Sequence, residues 1–85
     1  MKISWTDCFT KEYHKLSKEI QKRFDEKIQL FSQNPRHPSL RVKKMSGTGQ
    51  IWEASITMQY RWTFEWTKEV IKLRHIGTHD ILHSA

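Results

Sequence analysis

The spacing of apolar residues divides the chain into a helical first half and a strand-rich second half. From Phe9 to Phe31, large apolar residues recur every three or four positions, which predicts one apolar stripe on helix. Ser17 is a plausible N-cap, so the stripe is expected to be split into a helical hairpin. Asn34-Pro35 predicts the end of the hairpin, because proline cannot continue a helix and restricts the residue before it. Before the hairpin, residues 2–6 alternate polar and apolar side chains, as a short half-buried strand does.

After residue 35 the apolar period changes from about 3.6 to about 2, which is typical of strands. The expected strands span residues 40–44, 51–56, 60–66 and 70–76. In the third of these, Trp62, Phe64 and Trp66 should share one face, with Arg61, Thr63 and Glu65 on the other. In the last strand, His75 is expected on the same face as Ile71 and Leu73, alternating with Lys72 and Arg74.

Short connections between these strands predict an antiparallel meander. The fold class is therefore α+β, with an N-terminal strand, a helical hairpin and a β meander in a two-layer sandwich. The helices should cover one face of the sheet. The opposite face, which carries Arg61, should remain uncovered by the helices and is therefore available for another function.

The size and charge of the chain limit the classes of function. Its 85 residues form one domain (1–85) with one modest core, and 15 basic against 9 acidic residues give a formal net charge of +6. Such a field attracts polyanions, so nucleic acid is the first partner expected, although an acidic protein would also suit it. The single Cys8 excludes an internal disulfide and a cysteine-cluster zinc site. Apolar runs of membrane-spanning length and a signal-peptide stretch are both missing, which favours a cytoplasmic protein without membrane contact.

Two residues are candidates for chemistry, each with an ordinary alternative. Arg61, mid-sheet, offers a fork of donors for phosphate, or it pairs with Glu65 or Glu53 on the sheet surface. His79, after the last strand, can transfer protons near neutral pH or is a simple turn histidine. His75, His79 and His83 are spaced by four, as ligands on a helix would be, but a strand followed by Gly77 does not suit that geometry, so no metal is expected.

The order of several segments resembles the RelE/ParE superfamily of bacterial toxins. The segments follow the initial strand, the helical hairpin and Asn34-Pro35, and together they extend the similarity over nearly the whole chain. They are residues 40–47 (LRVKKMSG), 51–56 (IWEASI), 60–65 (YRWTFE) and 76–80 (IGTHD).

The resemblance implies the toxin of a type II toxin–antitoxin pair that cleaves messenger RNA on the ribosome, without a cofactor or metal. A cognate antitoxin would mask the positive surface, and operator DNA would be reached only through it. The family's catalytic arginine falls on Arg61 and its basic residue after the last strand on His79, with His83 as a third member. The residues expected to contact RNA are Arg41, Lys43, Lys44, Arg74 and Trp52, of which Trp52 could equally belong to the core.

Two departures from the family pattern keep alternatives open. The strand at 51–56 lacks the lysines of the best-studied RelE-type enzymes, and a C-terminal tyrosine is replaced by His83 or Ala85. A ParE-like inhibitor of DNA gyrase is therefore one alternative. A non-catalytic protein that only binds its antitoxin and acts as an operator co-repressor is the other.

Overall fold

The described chain is built from two α-helices, a short 3-10 helix and five strands. The structure is a computed structural model and describes residues 2–45, 49–78 and 81. In chain order the elements are β1 (Lys2–Trp5), α1 (Asp7–His14), α2 (Lys18–Gln33), the 3-10 helix (Pro38–Leu40), β2 (Lys43–Lys44), β3 (Ile51–Ser55), β4 (Tyr60–Trp66) and β5 (Val70–Thr78). None of the helices in this part of the chain has the length and apolar character needed to cross a bilayer.

The strands form one mixed sheet in the order β1-β5-β4-β3-β2. Strands β2 to β5 are joined by short connections and pair antiparallel, as the meander prediction requires. Strand β1 pairs parallel with β5, with Ile3 opposite Ile71. This pairing is possible because the helices carry the chain away from β1 before the meander starts. The predicted α+β fold is confirmed, and the parallel pairing of the edge strand β1 is added to it.

Side-chain caps divide the helical stripe where the sequence indicates. The Thr6 hydroxyl accepts a hydrogen bond from the Phe9 amide at 3.2 Å, and the Ser17 hydroxyl accepts one from Ile20 at 3.3 Å. Each cap satisfies an amide at the first turn that has no partner within the helix. Helix α2 ends at Gln33, with Asn34 as its C-cap, so the predicted break at Ser17 and the predicted stop are both confirmed.

Removing the second cap is expected to weaken the fold measurably. Ser17→Ala should lower the free energy of unfolding by about 1 kcal/mol, because the Ile20 amide loses its acceptor. Ser17→Asp keeps an acceptor at the same position and serves as the matched control. Urea denaturation of both variants checks the prediction, and equal midpoints for Ser17→Ala and the parent would contradict it.

The helices also contact each other through a polar bridge. The Tyr13 hydroxyl in α1 donates to both carboxylate oxygens of Asp25 in α2, at 2.9 and 3.2 Å. Partial burial, followed by the hydrogen bond to Asp25 and the charge of Asp25, raises the pKa of Tyr13 above its ordinary value. The phenol, which is protonated at physiological pH even at its ordinary pKa, thus links the two helices as a donor.

The core lies between the helices and one face of the sheet. Phe24 and Phe31 of α2 meet Trp62 edge-on, with ring centroids 5.3 and 6.1 Å apart. Phe31 also meets Phe64 at 5.1 Å, and all four of these rings are fully buried. Edge-to-face arrangements are the favoured geometry for aromatic pairs. As predicted, the apolar residues of β4 face the helices, which leaves Arg61 on the opposite face.

The predicted alternation in β5 is wrong after Leu73. Thr63 pairs with His75 whereas Phe64 pairs with Leu73, so the register shifts and Arg74 is an extra residue on β5. A bulge of this kind changes the phase of the strand. Ile76, which is 2% exposed, joins the core in place of His75. The strand also continues to Thr78, two residues beyond the predicted end.

The segment predicted as a strand at 40–44 is only partly extended. Pro38–Leu40 form the 3-10 helix, which buries Leu40 in the core, and only Lys43 and Lys44 pair with β3. Proline at the start of a helical turn is preorganised for it, because its φ angle is already fixed near the helical value. The basic segment therefore enters the sheet from a compact turn.

Candidate nucleic-acid interface

The face of the sheet opposite the helices carries a row of polar side chains. In the antiparallel register Lys43 lies opposite Glu53, Glu53 opposite Thr63, and Ser55 opposite Arg61. Residues that face each other across strands project from the same side of a sheet. Strands β2, β3 and β4 therefore direct these five side chains to one face of the sheet, on which Lys43 is exposed, Arg61 is half-buried, and Glu53, Ser55 and Thr63 are buried.

Arg61 is held in place by neutral acceptors. Its Nη1 donates to the Ser55 hydroxyl and to the backbone carbonyl of Thr57, the latter at 3.3 Å. Among the described residues, Arg61 forms no ion pair with Glu53 or Glu65, and Glu65 lies 3.8 Å from Arg74 instead. The ion-pair alternative for Arg61 is thus not what the structure adopts. The guanidinium is positioned without being neutralised, which suits it to bind an anion.

Two adjoining clefts bring other cations beside Arg61. One cleft of ≈ 160 Å³ includes Ser39, Arg41, Ser55 and Arg61 in its lining. The second, of ≈ 150 Å³, is lined by Arg41, Lys43, Glu53, Ser55 and Arg61. We call this pair of clefts the cationic cleft. Three positive charges face the single carboxylate of Glu53, so the local field favours anions such as phosphate.

Arg41 reaches the cleft through an unusual backbone conformation. Its φ of 48° and ψ of 45° lie in the left-handed region, and its amide donates to the Pro38 carbonyl at 3.2 Å to close the 3-10 turn. For a residue with a Cβ this conformation costs about 1–2 kcal/mol. Glycine would avoid that cost, so the backbone alone does not favour arginine at this position, whose side chain lines both parts of the cationic cleft.

The variant Arg41→Gly distinguishes the contribution of the Arg41 side chain to binding from the cost of its backbone conformation to stability. We expect binding of single-stranded RNA to weaken by at least about tenfold, since a charge-assisted contact is worth roughly 1.5–3 kcal/mol. The free energy of unfolding should stay the same or rise by up to about 1 kcal/mol as strain is relieved. Arg41→Ala is the control that loses the guanidinium but keeps the strain. Fluorescence anisotropy and urea denaturation measure the two effects, and a glycine variant less stable than the alanine variant would contradict this account.

The other predicted RNA contacts do not line the cationic cleft. Lys44 lies opposite Trp52 in the register, so both project from the face opposite Lys43. Trp52 is half-buried, with its ring centroid 5.1 Å from that of Trp66, and the Arg36 guanidinium lies 5.4 and 5.1 Å from these two centroids. Arg74 is the bulged residue of β5, beside Glu65. His79 and His83 lie outside the described residues.

Sequence reasoning missed Ser39, Ser55 and the stacking of Arg36. The signal for Ser55 was present, because a tight turn at residues 57–59 places it opposite Arg61. Nothing comparable identifies Ser39 or the Arg36 contact, since both depend on how the segment after Pro35 folds back on the sheet.

Comparison with solved structures identifies the fold. The structure is similar to YafQ from Escherichia coli, at 15% identity with a TM-score of 0.78, over 95% of this chain and 96% of that one. A RelE–RelB complex from Pyrococcus horikoshii matches at 23% identity and TM-score 0.71, over 91% and 92% of the two chains. The RelBE toxin–antitoxin complex of Escherichia coli matches at 18% and 0.72, over 91% and 94%. The chain has the RelE-like toxin fold.

This result confirms the predicted resemblance at the level of the fold. No protein-family model matches the sequence, and no curated protein matches it either. This sequence thus adopts the RelE-like fold although it is only 15%, 23% and 18% identical to the three structures above. The function must accordingly be argued from the residues of the cationic cleft.

Proposed function

We propose that this chain is the toxin of a type II toxin–antitoxin pair and that it cleaves messenger RNA on the ribosome without a metal ion. The observation that carries the proposal is the convergence of Arg41, Lys43 and Arg61 on one cleft of the sheet face that the helices leave open. The RelE-like fold shared with YafQ and RelE supports it.

The proposed reaction uses a nucleophile that RNA itself supplies. The 2′-oxygen attacks the adjacent phosphorus while the bond from phosphorus to the 5′-oxygen breaks. One group accepts the 2′-hydroxyl proton and another donates a proton to the leaving 5′-oxygen. The products are a 2′,3′-cyclic phosphate and a 5′-hydroxyl end. Negative charge grows on the phosphate oxygens during attack, and a fixed guanidinium stabilises that charge more than it stabilises the substrate.

Arg61 is proposed to supply this stabilisation. Ser55 and Thr57 already hold its guanidinium, so little reorganisation is needed when RNA binds. Arg41 and Lys43 would hold the phosphates on either side. His79 is proposed as the proton acceptor and His83 as a second acid–base group. Support for the role of His79 comes from the register, because Arg61 lies opposite Gly77, two residues before it.

The remaining predicted RNA contacts are proposed to act away from the reacting phosphate. Lys44 and Trp52 lie on the other face of the sheet, where Trp52 and Arg36 form a stacked group with Trp66. Arg74, on β5, would contact RNA beyond the cleft. These positions suit contacts with ribosomal RNA better than contacts with the scissile bond.

We further propose that a cognate antitoxin covers the cationic cleft. A net charge of +6 favours a partner with acidic segments. Operator DNA would be bound only through that antitoxin, and the complex would act in the cytoplasm. Two of the similar solved structures, RelE–RelB and the RelBE toxin–antitoxin complex, are complexes of two proteins, which supports a protein partner for this chain.

Purified components test the proposed function. The protein is incubated with a messenger RNA in the presence and absence of programmed ribosomes, and the product ends are analysed. The proposal predicts cleavage that needs ribosomes, proceeds in a chelator that removes transition-metal ions but leaves the Mg²⁺ of the ribosomes, and yields 5′-hydroxyl ends. Intact messenger RNA on ribosomes, with growth still arrested by expression, would overturn it.

One observation favours a second candidate function. Strand β3 (Ile51–Ser55) carries no lysine, as the gyrase-inhibiting branch would allow. Gyrase inhibition predicts accumulated gyrase–DNA cleavage complexes while transcripts remain intact. The same expression experiment therefore separates the two candidates. If the expressed protein is well folded but does not arrest growth, the result would favour the non-catalytic co-repressor.

A further inference from the structure

Three side chains with metal-ligating atoms meet at the junction of α1 and β5. Cys8 and Glu12 are four residues apart on α1, so they share one face of the helix. His75 comes from β5. Its Nδ1 lies 3.6 Å from the Cys8 Sγ and 3.1 Å from the Glu12 Oε1. The three ligand atoms all lie within 4.8 Å of one another.

We propose that Cys8, Glu12 and His75 form a binding site for a divalent transition-metal ion of the zinc type. The sequence offers little sign of such a site, because 63 residues separate Glu12 from His75. The site is separate from the cationic cleft, whose lining shares no residue with it.

The way the three groups meet distinguishes a metal site from a nucleophilic triad. In a Cys-His-acid triad, the histidine uses one ring nitrogen for the nucleophile and the other for the acid. Here the Cys8 thiol and the Glu12 carboxylate both contact the same ring nitrogen of His75, Nδ1. That arrangement cannot relay a proton between them through the ring. It is instead the arrangement of three ligands around a common centre.

The two distances from the His75 Nδ1 are close to those around a tetrahedral ion. With bonds of about 2.3 Å to sulfur and about 2.1 Å to nitrogen and oxygen, tetrahedral angles place sulfur and nitrogen about 3.6 Å apart and nitrogen and oxygen about 3.4 Å apart. The corresponding distances here are 3.6 and 3.1 Å. Two of the three pairs are therefore already spaced as they would be around the ion. The Cys8 Sγ and the Glu12 carboxylate, which lie within 4.8 Å of each other, would have to come to about 3.6 Å when the ion binds.

The surroundings support a three-ligand site with an open fourth position. The Glu12 Oε1 also accepts the Ile76 amide at 3.2 Å, which fixes the carboxylate as outer partners of metal ligands do. A cleft of ≈ 230 Å³ borders Cys8 and His75 and has room for a water as fourth ligand. Lys72 and Arg74 also line it and oppose a cation, and Arg74 is paired with Glu65.

Ligand chemistry and charge identify the class of ion. A thiolate, a carboxylate and a neutral imidazole together carry two negative charges, which neutralise a divalent ion despite the nearby Lys72. Sulfur and nitrogen donors select zinc-type ions, whereas Mg²⁺ and Ca²⁺ require oxygen ligands. Binding would connect α1 to β5, which otherwise meet here through hydrogen bonds. The ion is therefore expected to stabilise the fold at the strand that leads to His79.

Cobalt provides the test, because Cys8 is the only cysteine of the chain. The full-length protein, first treated with chelator, is titrated with Co²⁺ and followed by absorption. The proposal predicts a thiolate-to-cobalt charge-transfer band that saturates at one equivalent and disappears when Zn²⁺ is added. Zn²⁺ in about hundredfold excess over its Kd should also raise the Tm by roughly 10 °C.

Variants decide whether the three residues act together. Cys8→Ser should abolish the band, and Glu12→Gln and His75→Gln should each weaken binding by at least about tenfold, since losing even an outer partner costs roughly 10–100-fold. Glu12→Gln keeps an acceptor for the Ile76 amide, so the fold is preserved, and circular dichroism checks this. His14→Gln, on the same helix but outside the cluster, should bind like the parent. Absence of a saturable band in the parent, or a band unchanged in both Glu12→Gln and His75→Gln, would overturn the proposal.

Discussion

Arg61→Ala is expected to reduce the rate of messenger RNA cleavage on ribosomes by at least about a hundredfold. Removing one fixed donor to a developing oxyanion costs roughly 10²–10³-fold in rate, and Arg61 offers a charged fork rather than a single neutral donor. Arg61→Lys should fall between the parent and the alanine variant, because it keeps the charge but loses the fork geometry. Single-turnover cleavage of a ribosome-bound transcript measures the effect, and growth arrest after induced expression provides the cellular readout.

Folding must be controlled in that experiment, because Arg61 is hydrogen-bonded to Ser55 and Thr57. Circular dichroism and thermal melting establish that each variant is folded. Lys22→Ala removes an exposed cation of α2 that lines neither part of the cationic cleft, and it should cleave like the parent. A folded Arg61→Ala variant with the parent's cleavage rate would remove Arg61 from the proposed reaction.

The largest expected effect on stability is that of Trp62→Ala. Trp62 is fully buried, and its ring meets Phe24, Phe31 and Phe64 at centroid distances of 5.3, 6.1 and 6.3 Å. Replacing a buried tryptophan with alanine costs about 3–5 kcal/mol. For a domain of this size that is most of the total stability. Urea denaturation should therefore find the variant largely unfolded or unfolding at very low urea.

A second variant isolates packing from hydrogen bonding. Within the described part of the chain, the buried Trp62 Nε1 has no hydrogen-bond partner. Trp62→Phe therefore reduces the volume of the ring but removes no hydrogen bond. We expect it to lower the free energy of unfolding by only about 1–2 kcal/mol. Met58→Ala, at a side chain that is 87% exposed, should change stability by less than about 0.5 kcal/mol. If Trp62→Ala lowers the free energy of unfolding as little as Met58→Ala does, the core is not centred on Trp62.

The spacing of apolar residues predicts the fold of this chain well where an element depends only on its own local sequence. The apolar stripe from Phe9 to Phe31, the cap at Ser17 and the alternation in β4 are local patterns, and each appears in the structure as expected. The parallel pairing of β1 with β5 depends on which sheet edge remains free after the meander forms. That is a property of the whole chain, and local pattern does not contain it.

The error in β5 has a local cause that the sequence does not display. A single extra residue at Arg74 moves Ile76 into the core and His75 out of it. Once the phase changes, His75 no longer belongs with Ile71 and Leu73. It contacts Cys8 and Glu12 instead. A bulge without glycine leaves no clear compositional mark, so an alternating pattern is the natural prediction.

The candidate site could be predicted in part for a similar reason. Arg61 was identifiable because strand alternation sets which face it occupies. Lys43 and Lys44 are adjacent basic residues, and only the pairing with Glu53 and Trp52 assigns them to opposite faces. Arg41 joins the cleft through its left-handed backbone, which composition does not predict for arginine.

A crystal structure of the protein bound to a short RNA would decide the role of the cationic cleft, if the attacking 2′-hydroxyl is methylated so that cleavage is blocked. The account predicts one phosphate seated in the cationic cleft, with its oxygens about 3 Å from the Arg61 guanidinium and the His79 imidazole beside the 2′-oxygen. RNA bound on another surface, or Arg61 and His79 on opposite sides of the molecule, would contradict it.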